Sequence, residues 1–133
     1  MWSAIVRAIW GESPVEIAAK EVLVIEPSAT RRRALADALR SASVPVVELR
    51  SHTEAMARIA AGLKPILAVA GADRGGVELA AELRADSAND GVRLLLLAPV
   101  AHLSRALDSG ADACVEEPIN ESALVARIRE LAN

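Results

Sequence analysis

The feature that most constrains this chain is a repeated change of hydrophobic period. Short continuous apolar runs occur at Val22–Ile25, Val46–Leu49, Ile66–Ala70, Leu94–Leu97 and Ala113–Val115, and each is followed by a segment whose apolar residues recur every three or four positions. A strand with one wet face alternates apolar and polar residues, so unbroken apolarity predicts strands buried on both faces, as in a parallel sheet. The intervening segments read as helices. Leu35, Ala38, Leu39 and Ala42 form one core-facing stripe, and Met56, Ile59, Ala60 and Leu63 a second, closed by Gly62. Val77, Ala80 and Leu83 carry the third; Leu103, Ala106 and Leu107 carry the fourth, closed by Gly110. Asn120 is a good N-cap for the last helix, in which Leu124, Ile128 and Leu131 face inward. Five successive β-α units predict an α/β fold of three layers: helices on both faces of a doubly wound, five-stranded parallel sheet. In such sheets the functional crevice lies at the carboxyl ends of the strands. Here those ends are Glu26-Pro27, Gly71-Ala72-Asp73, Leu97-Ala98 and Glu116-Glu117-Pro118.

Composition narrows the function. A length of 133 residues suits one domain with a real core, and 53% hydrophobic with 25% charged residues is an ordinary globular balance. The net charge of −3 offers no basic footprint for nucleic acid. No apolar run approaches the ~20 residues of a membrane span. The single cysteine, Cys114, rules out a disulfide within the chain and a cysteine-based zinc site, and it fits a reducing cytoplasm. Residues 1–19 stand apart from the β-α pattern as a helical extension before a domain of residues 20–133. Trp2, Ile5, Val6 and Ile9 share one helical face with Arg7 opposite, and Ser13-Pro14-Val15-Glu16 resembles a second helix start. Trp2 and Trp10 are the only aromatic residues of the chain. Tryptophan is enriched at interfaces, so Trp2, Ile5, Ile9 and Trp10 are candidate contacts, either with a partner or with the chain's own surface.

Several of these runs carry a resemblance. Glu21-Val-Leu-Val-Ile-Glu-Pro resembles the first strand of bacterial response-regulator receiver domains, and Lys64-Pro65-Ile-Leu-Ala-Val-Ala the third. Gly76-Val-Glu-Leu79 is similar to the start of their third helix, and Ser109-Gly110-Ala-Asp-Ala-Cys-Val-Glu-Glu-Pro118 to the run around their fifth strand. The resemblance spans roughly residues 20–132 and implies a flavodoxin-like sheet of order 2-1-3-4-5. It also implies a site at which this sequence departs from the family. Of the acidic pair that ends the first strand, Glu26 remains and Pro27 replaces the other member. The phosphorylated Asp falls on Gly71, which has no side chain. The hydroxyl residue of the fourth strand falls on Leu97 or Ala98, the lysine before the fifth-strand proline on Glu117, and the switching aromatic on Cys114. Phosphoryl transfer needs a nucleophile and a positive group on the transferred oxygens, and Mg²⁺ wants oxygen ligands. The resemblance therefore implies a degenerate, non-phosphorylatable pseudo-receiver, neither enzyme nor metal site, with no cofactor.

The remaining features suit binding. Arg31-Arg32-Arg33 opens the first helix, a face that the family turns toward histidine kinases or phosphotransfer proteins; the alternative is a solvated charged face. The face of the fourth and fifth helices, which receivers use to dimerise, makes a homodimer a second expectation. Asp73 reads as turn chemistry, or as a displaced phosphorylation residue. Arg105 is a candidate contact for a cyclic dinucleotide, or the partner of Asp108 in an i, i+3 ion pair. His52 and His102 have no metal-ligand partner at helical spacing. With no output domain after Asn133, the expected role is that of a stand-alone cytoplasmic interaction module of two-component signalling.

Overall fold

The structure is a computed structural model, and it describes residues 21–132. Five strands, β1 (Val22–Ile25), β2 (Val46–Leu49), β3 (Leu67–Gly71), β4 (Arg93–Pro99) and β5 (Ala113–Glu117), alternate with five helices. The helices are α1 (Ala29–Ser41), α2 (His52–Ala60), α3 (Val77–Arg84), α4 (Leu103–Asp108) and α5 (Glu121–Ala132). All strand pairings are parallel and the sheet order is 2-1-3-4-5, as the sequence implied. The Trp-bearing segment proposed as a helical extension lies outside the described residues.

Successive strand residues point to opposite faces, which splits the core in two. Leu23, Ile25, Ala68, Ala70, Leu94 and Leu96 pack beneath α2, α3 and α4. Val22, Val24, Leu67, Val69, Leu95 and Leu97 pack beneath α1 and α5, where Leu39, Leu124 and Ile128 meet them. With no Phe or Tyr anywhere in the sequence, both layers are filled by aliphatic side chains alone.

Start and stop signals act where the sequence placed them. Asn120 Oδ1 accepts the Ala123 N–H at 3.0 Å, and Gly62 and Gly110 take positive φ values of 112° and 109° just past α2 and α4. Three stripes face the core as expected in most of their positions and differ at single residues. In α1 the buried positions are Ala36 and Leu39, with Leu35 and Ala38 only half-buried. In α3, Leu79 joins Ala80 and Leu83 in the core while Val77 is exposed. On the six-residue α4 only Ala106 is buried, and Leu107 faces solvent. A helix this short needs only one contact with the sheet, so periodicity cannot fix its facing.

The amino-terminal side of β4 and β5 is stapled by Asp112. Its Oδ2 accepts the Leu94 N–H at 2.7 Å and an Arg84 N–H at 2.9 Å. Arg84 also donates to the carbonyls of Gly110 and Val92, tying α3 to both edges of the β4–β5 connection. Asp112→Ala leaves the Leu94 N–H and the Arg84 guanidinium without this acceptor. It should lower the unfolding free energy by about 1–3 kcal/mol in urea denaturation, with Asp112→Asn costing less because it keeps an acceptor oxygen.

Candidate functional site

Parallel register brings the ends of β1, β3, β4 and β5 to one crevice. Ile25 pairs with Ala70, Gly71 with Leu97, and Pro99 with Glu117. Glu26, the residue after β1, therefore lies beside Gly71. β4 continues two residues past Leu97, so Leu97 and Ala98 lie within the strand rather than at its end. Leu97 turns its side chain into the α1–α5 layer and Ala98 into the opposite one. Neither presents a polar group to the crevice.

The crevice is occupied by a side chain that no sequence motif marks. Arg74 lies in the tight π-type turn Ala72–Gly76 that joins β3 to α3, at φ −122° and ψ 44°. Its Nε donates to Glu26 Oε1 at 2.8 Å, its Nη2 to Glu117 Oε2 at 2.7 Å and its Nη1 to Asp73 Oδ1 at 2.8 Å. A planar guanidinium has donors on every edge, which suits it to join carboxylates arriving from three directions. Gly71 makes room for it: a Cβ built there would overlap the Arg74 guanidinium carbon. The space of a side chain at the end of β3 is thus filled by a cation from three residues further on.

Glu26 is the most deeply set charge of this cluster, at 2% exposure. A carboxylate so buried must be compensated, and every polar atom of the residue is engaged. Oε2 accepts the Ser28 N–H at 2.7 Å, Oε1 takes Arg74, the Glu26 N–H donates to Leu49 O, and the Glu26 carbonyl accepts Arg32 Nη1 at 2.8 Å. Ser28 Oγ in turn caps α1 by accepting the Arg31 N–H. Burial works to lower the Arg74 pKa, but the bonds and charges of Glu117 and Glu26 outweigh it and hold the pKa above its ordinary value. The guanidinium therefore stays charged. Burial pushes the Cys114 thiol up, which keeps this half-buried cysteine protonated and unreactive.

The other sequence candidates divide by placement. Pro27 is exposed and contributes no oxygen ligand from its side chain. Of the three successive arginines, Arg31 and Arg33 are exposed, whereas Arg32 turns inward to the Glu26 carbonyl and to Glu48 at 3.7 Å. Arg105 is exposed on α4, and no ion pair joins it to Asp108, contrary to the expected i, i+3 bridge. His52 stands 3.6 Å from Glu82 on α3 and His102 is exposed, and no cluster among the described residues has the donor set of a metal site. Beside the Arg74 cluster a cleft of about 180 Å³ opens between α1 and α5, floored by Leu97 and Leu124 and edged by Arg31 and Glu121. Arg74 could have been found from sequence by electrostatic accounting. Two acidic strand ends meet in one crevice, the family's lysine is absent, and the β3–α3 turn offers one cation.

Truncating Arg74 removes the charged partner of a buried carboxylate and leaves only the Ser28 N–H on its side chain. Arg74→Ala should lower the unfolding free energy by about 2–4 kcal/mol, whereas Arg127→Ala, which breaks an exposed pair with Glu130, should change it by less than about 0.5 kcal/mol. Parallel urea titrations of the two variants check this contrast.

The sequence matches no family model and no curated protein. Solved structures do match. The receiver domain of a signal transduction histidine kinase from Syntrophus aciditrophicus superposes with a TM-score of 0.76 at 22% identity, covering 85% of this chain and 89% of that one. A receiver-modulated diguanylate cyclase from Pelobacter carbinolicus gives a TM-score of 0.70 at 28% identity, covering 84% and 91%. The chemotaxis response regulator CheY4 of Vibrio cholerae gives 0.74 at 19% identity, covering 84% and 98%. With the same sheet order and near-complete coverage of these domains, the chain has the receiver fold of response regulators.

Proposed function

We propose that this chain is a receiver domain of two-component signalling that accepts no phosphoryl group and works by presenting fixed surfaces to protein partners. The observation that carries this reading is the occupied crevice. Gly71 offers no nucleophile, and the volume beside it is filled by the Arg74 guanidinium, bonded to Glu26, Asp73 and Glu117. Asp73, the one other carboxylate near the end of β3, lies in the turn with its side chain 69% exposed and paired to Arg74. The one positive group beside it, the Arg74 guanidinium, is already bonded to Glu26 and Glu117, so a phosphoryl group there would compete with two carboxylates for it.

A signalling role without phosphorylation is a binding role. The surfaces that suit it are the exposed Arg31 and Arg33 on α1 and the face of α4 around Arg105, Val100 and Leu107. The partner is a histidine kinase or phosphotransfer protein, or a second copy of the chain. The cytoplasm is the compartment in which such partners act, and no described helix is long and apolar enough to cross a membrane.

Amide NMR spectra recorded with Mg²⁺ and beryllofluoride, a mimic of an aspartyl phosphate, test the reading directly. The expected result is unchanged resonances for Glu26, Gly71–Arg74 and Glu117. Saturable shifts at these positions, abolished in Asp73→Ala, would establish a working phosphorylation switch instead.

A further inference from the structure

Helices α1 and α5 both start at the carboxyl ends of parallel strands and pack on the same side of the sheet, so they run side by side in one direction. An apolar groove lies between them. Its upper stretch is the cleft of about 180 Å³, walled by Ala34, Leu35 and Ala38 of α1 and by Ile119 and Leu124. A lower stretch of about 350 Å³ continues it between Ser41 and Ala42 on one side and Val125 and Ala126 on the other, with Ala38 and Glu121 lining both stretches. The rims carry exposed small residues, Ala34 and Ser41 on α1 and Ser122 and Ala126 on α5, so an approaching helix can come close. The rims also carry opposite charges. Arg31 on α1 and Glu121 on α5 are both exposed and border the same cleft, and lower on the face the signs invert, with Asp37 exposed on α1 and Arg129 on α5.

We infer that the α1–α5 face is the contact surface for a second copy of this chain, in an isologous dimer whose two-fold axis runs along the helices. Such an axis sets α1 of one copy against α5 of the other at the same level. Arg31 then meets Glu121 of the partner subunit, and by symmetry the same contact forms twice, while Asp37 comes within reach of Arg129 of the partner subunit. This self-complementarity selects a second copy as the occupant, because a partner of one charge sign would be repelled by half of each rim. The small ridge of Ala34 and Ser41 enters the partner's groove between Ala38 and Val125. A pair of helices about 20 Å long and about 20 Å across offers about 400 Å² per partner, below the ~800 Å² of a standard interface, so the association is weak and reversible. The inference rests on the reading of the chain as a binding module and names the surface and partner of that binding.

Sedimentation equilibrium of the full chain, from about 10 µM to about 1 mM, tests the inference, with Arg31→Glu, Glu121→Arg and Ala38→Arg as variants. The wild type should rise toward the mass of two chains, with a Kd on the order of 10⁻⁵–10⁻⁴ M. Each charge reversal alone sets like charges together at both contacts and should raise that Kd about tenfold or more. An equimolar mixture of the two reversed chains should dimerise to within about threefold of the wild type, because one chain then presents two acids to the other's two bases. Ala38→Arg fills the centre of the groove with a charged side chain and should leave the chain monomeric throughout. The inference is overturned if the wild type stays monomeric, if the mixture fails to dimerise, or if the dimer survives all three substitutions; its loss in Leu107→Glu would then move the contact to α4. A monomer whose Trp2 and Trp10 emission shifts in Ala38→Arg overturns it as well, and assigns the groove to residues 1–20 of the same chain. Should Ala38→Arg not fold, the two charge variants and their mixture decide. A beryllofluoride response would count against the non-phosphorylatable reading and leave the dimer standing, whereas an inert, monomeric chain counts against this interface alone.

Discussion

The bond between Arg74 and the buried carboxylate of Glu26 is the interaction on which the working end of this molecule depends. A carboxylate at 2% exposure is tolerated only if each oxygen is bonded and its charge is balanced. The backbone N–H of Ser28 answers one oxygen and the guanidinium the other. From that requirement the local architecture follows. Gly71 must lack a side chain, the β3–α3 connection must fold into a turn tight enough to send Arg74 back over the strand ends, and Glu117 can be acidic because the arginine has a further edge to offer it.

This also explains why departures that look like independent losses belong together. An acid at the end of β5 in place of a base, and glycine at the end of β3 in place of an acid, would each be costly alone. With a guanidinium between them, both Glu26 and Glu117 have a bonded positive partner. At the strand ends the guanidinium acts as a clamp, bonded to carboxylates that follow β1 and end β5.

Long, redundant sequence signals foretell the elements of this fold, whereas the placement of single side chains depends on the tertiary structure. Continuous apolar runs identified all five strands, since burial on both faces leaves no room for polar alternation. Asn120, Gly62 and Gly110 marked helix ends through backbone chemistry that is local and therefore visible in sequence. On α3 and α4 the expected core positions Ala80, Leu83 and Ala106 are buried, but Val77 and Leu107 face solvent, because on a helix of six or eight residues the edge of the stripe is settled by the sheet beneath it. Arg32 looked like one of three equivalent basic residues, yet it turns inward to the Glu26 carbonyl and Glu48 while its neighbours face solvent.

By itself the sequence determined the class of fold, the order of elements, the carboxyl-end crevice and the absence of a nucleophile at Gly71, because hydrophobic period and residue chemistry are properties of the chain. Only the tertiary structure decided what fills that crevice. Arg74 and Glu26 are 48 positions apart, and Arg74 and Glu117 are 43 apart. No local pattern links residues at such separations. They meet because parallel pairing stacks the strand ends side by side, and because the burial of one carboxylate selects, among the cations within reach, the one whose turn can deliver it.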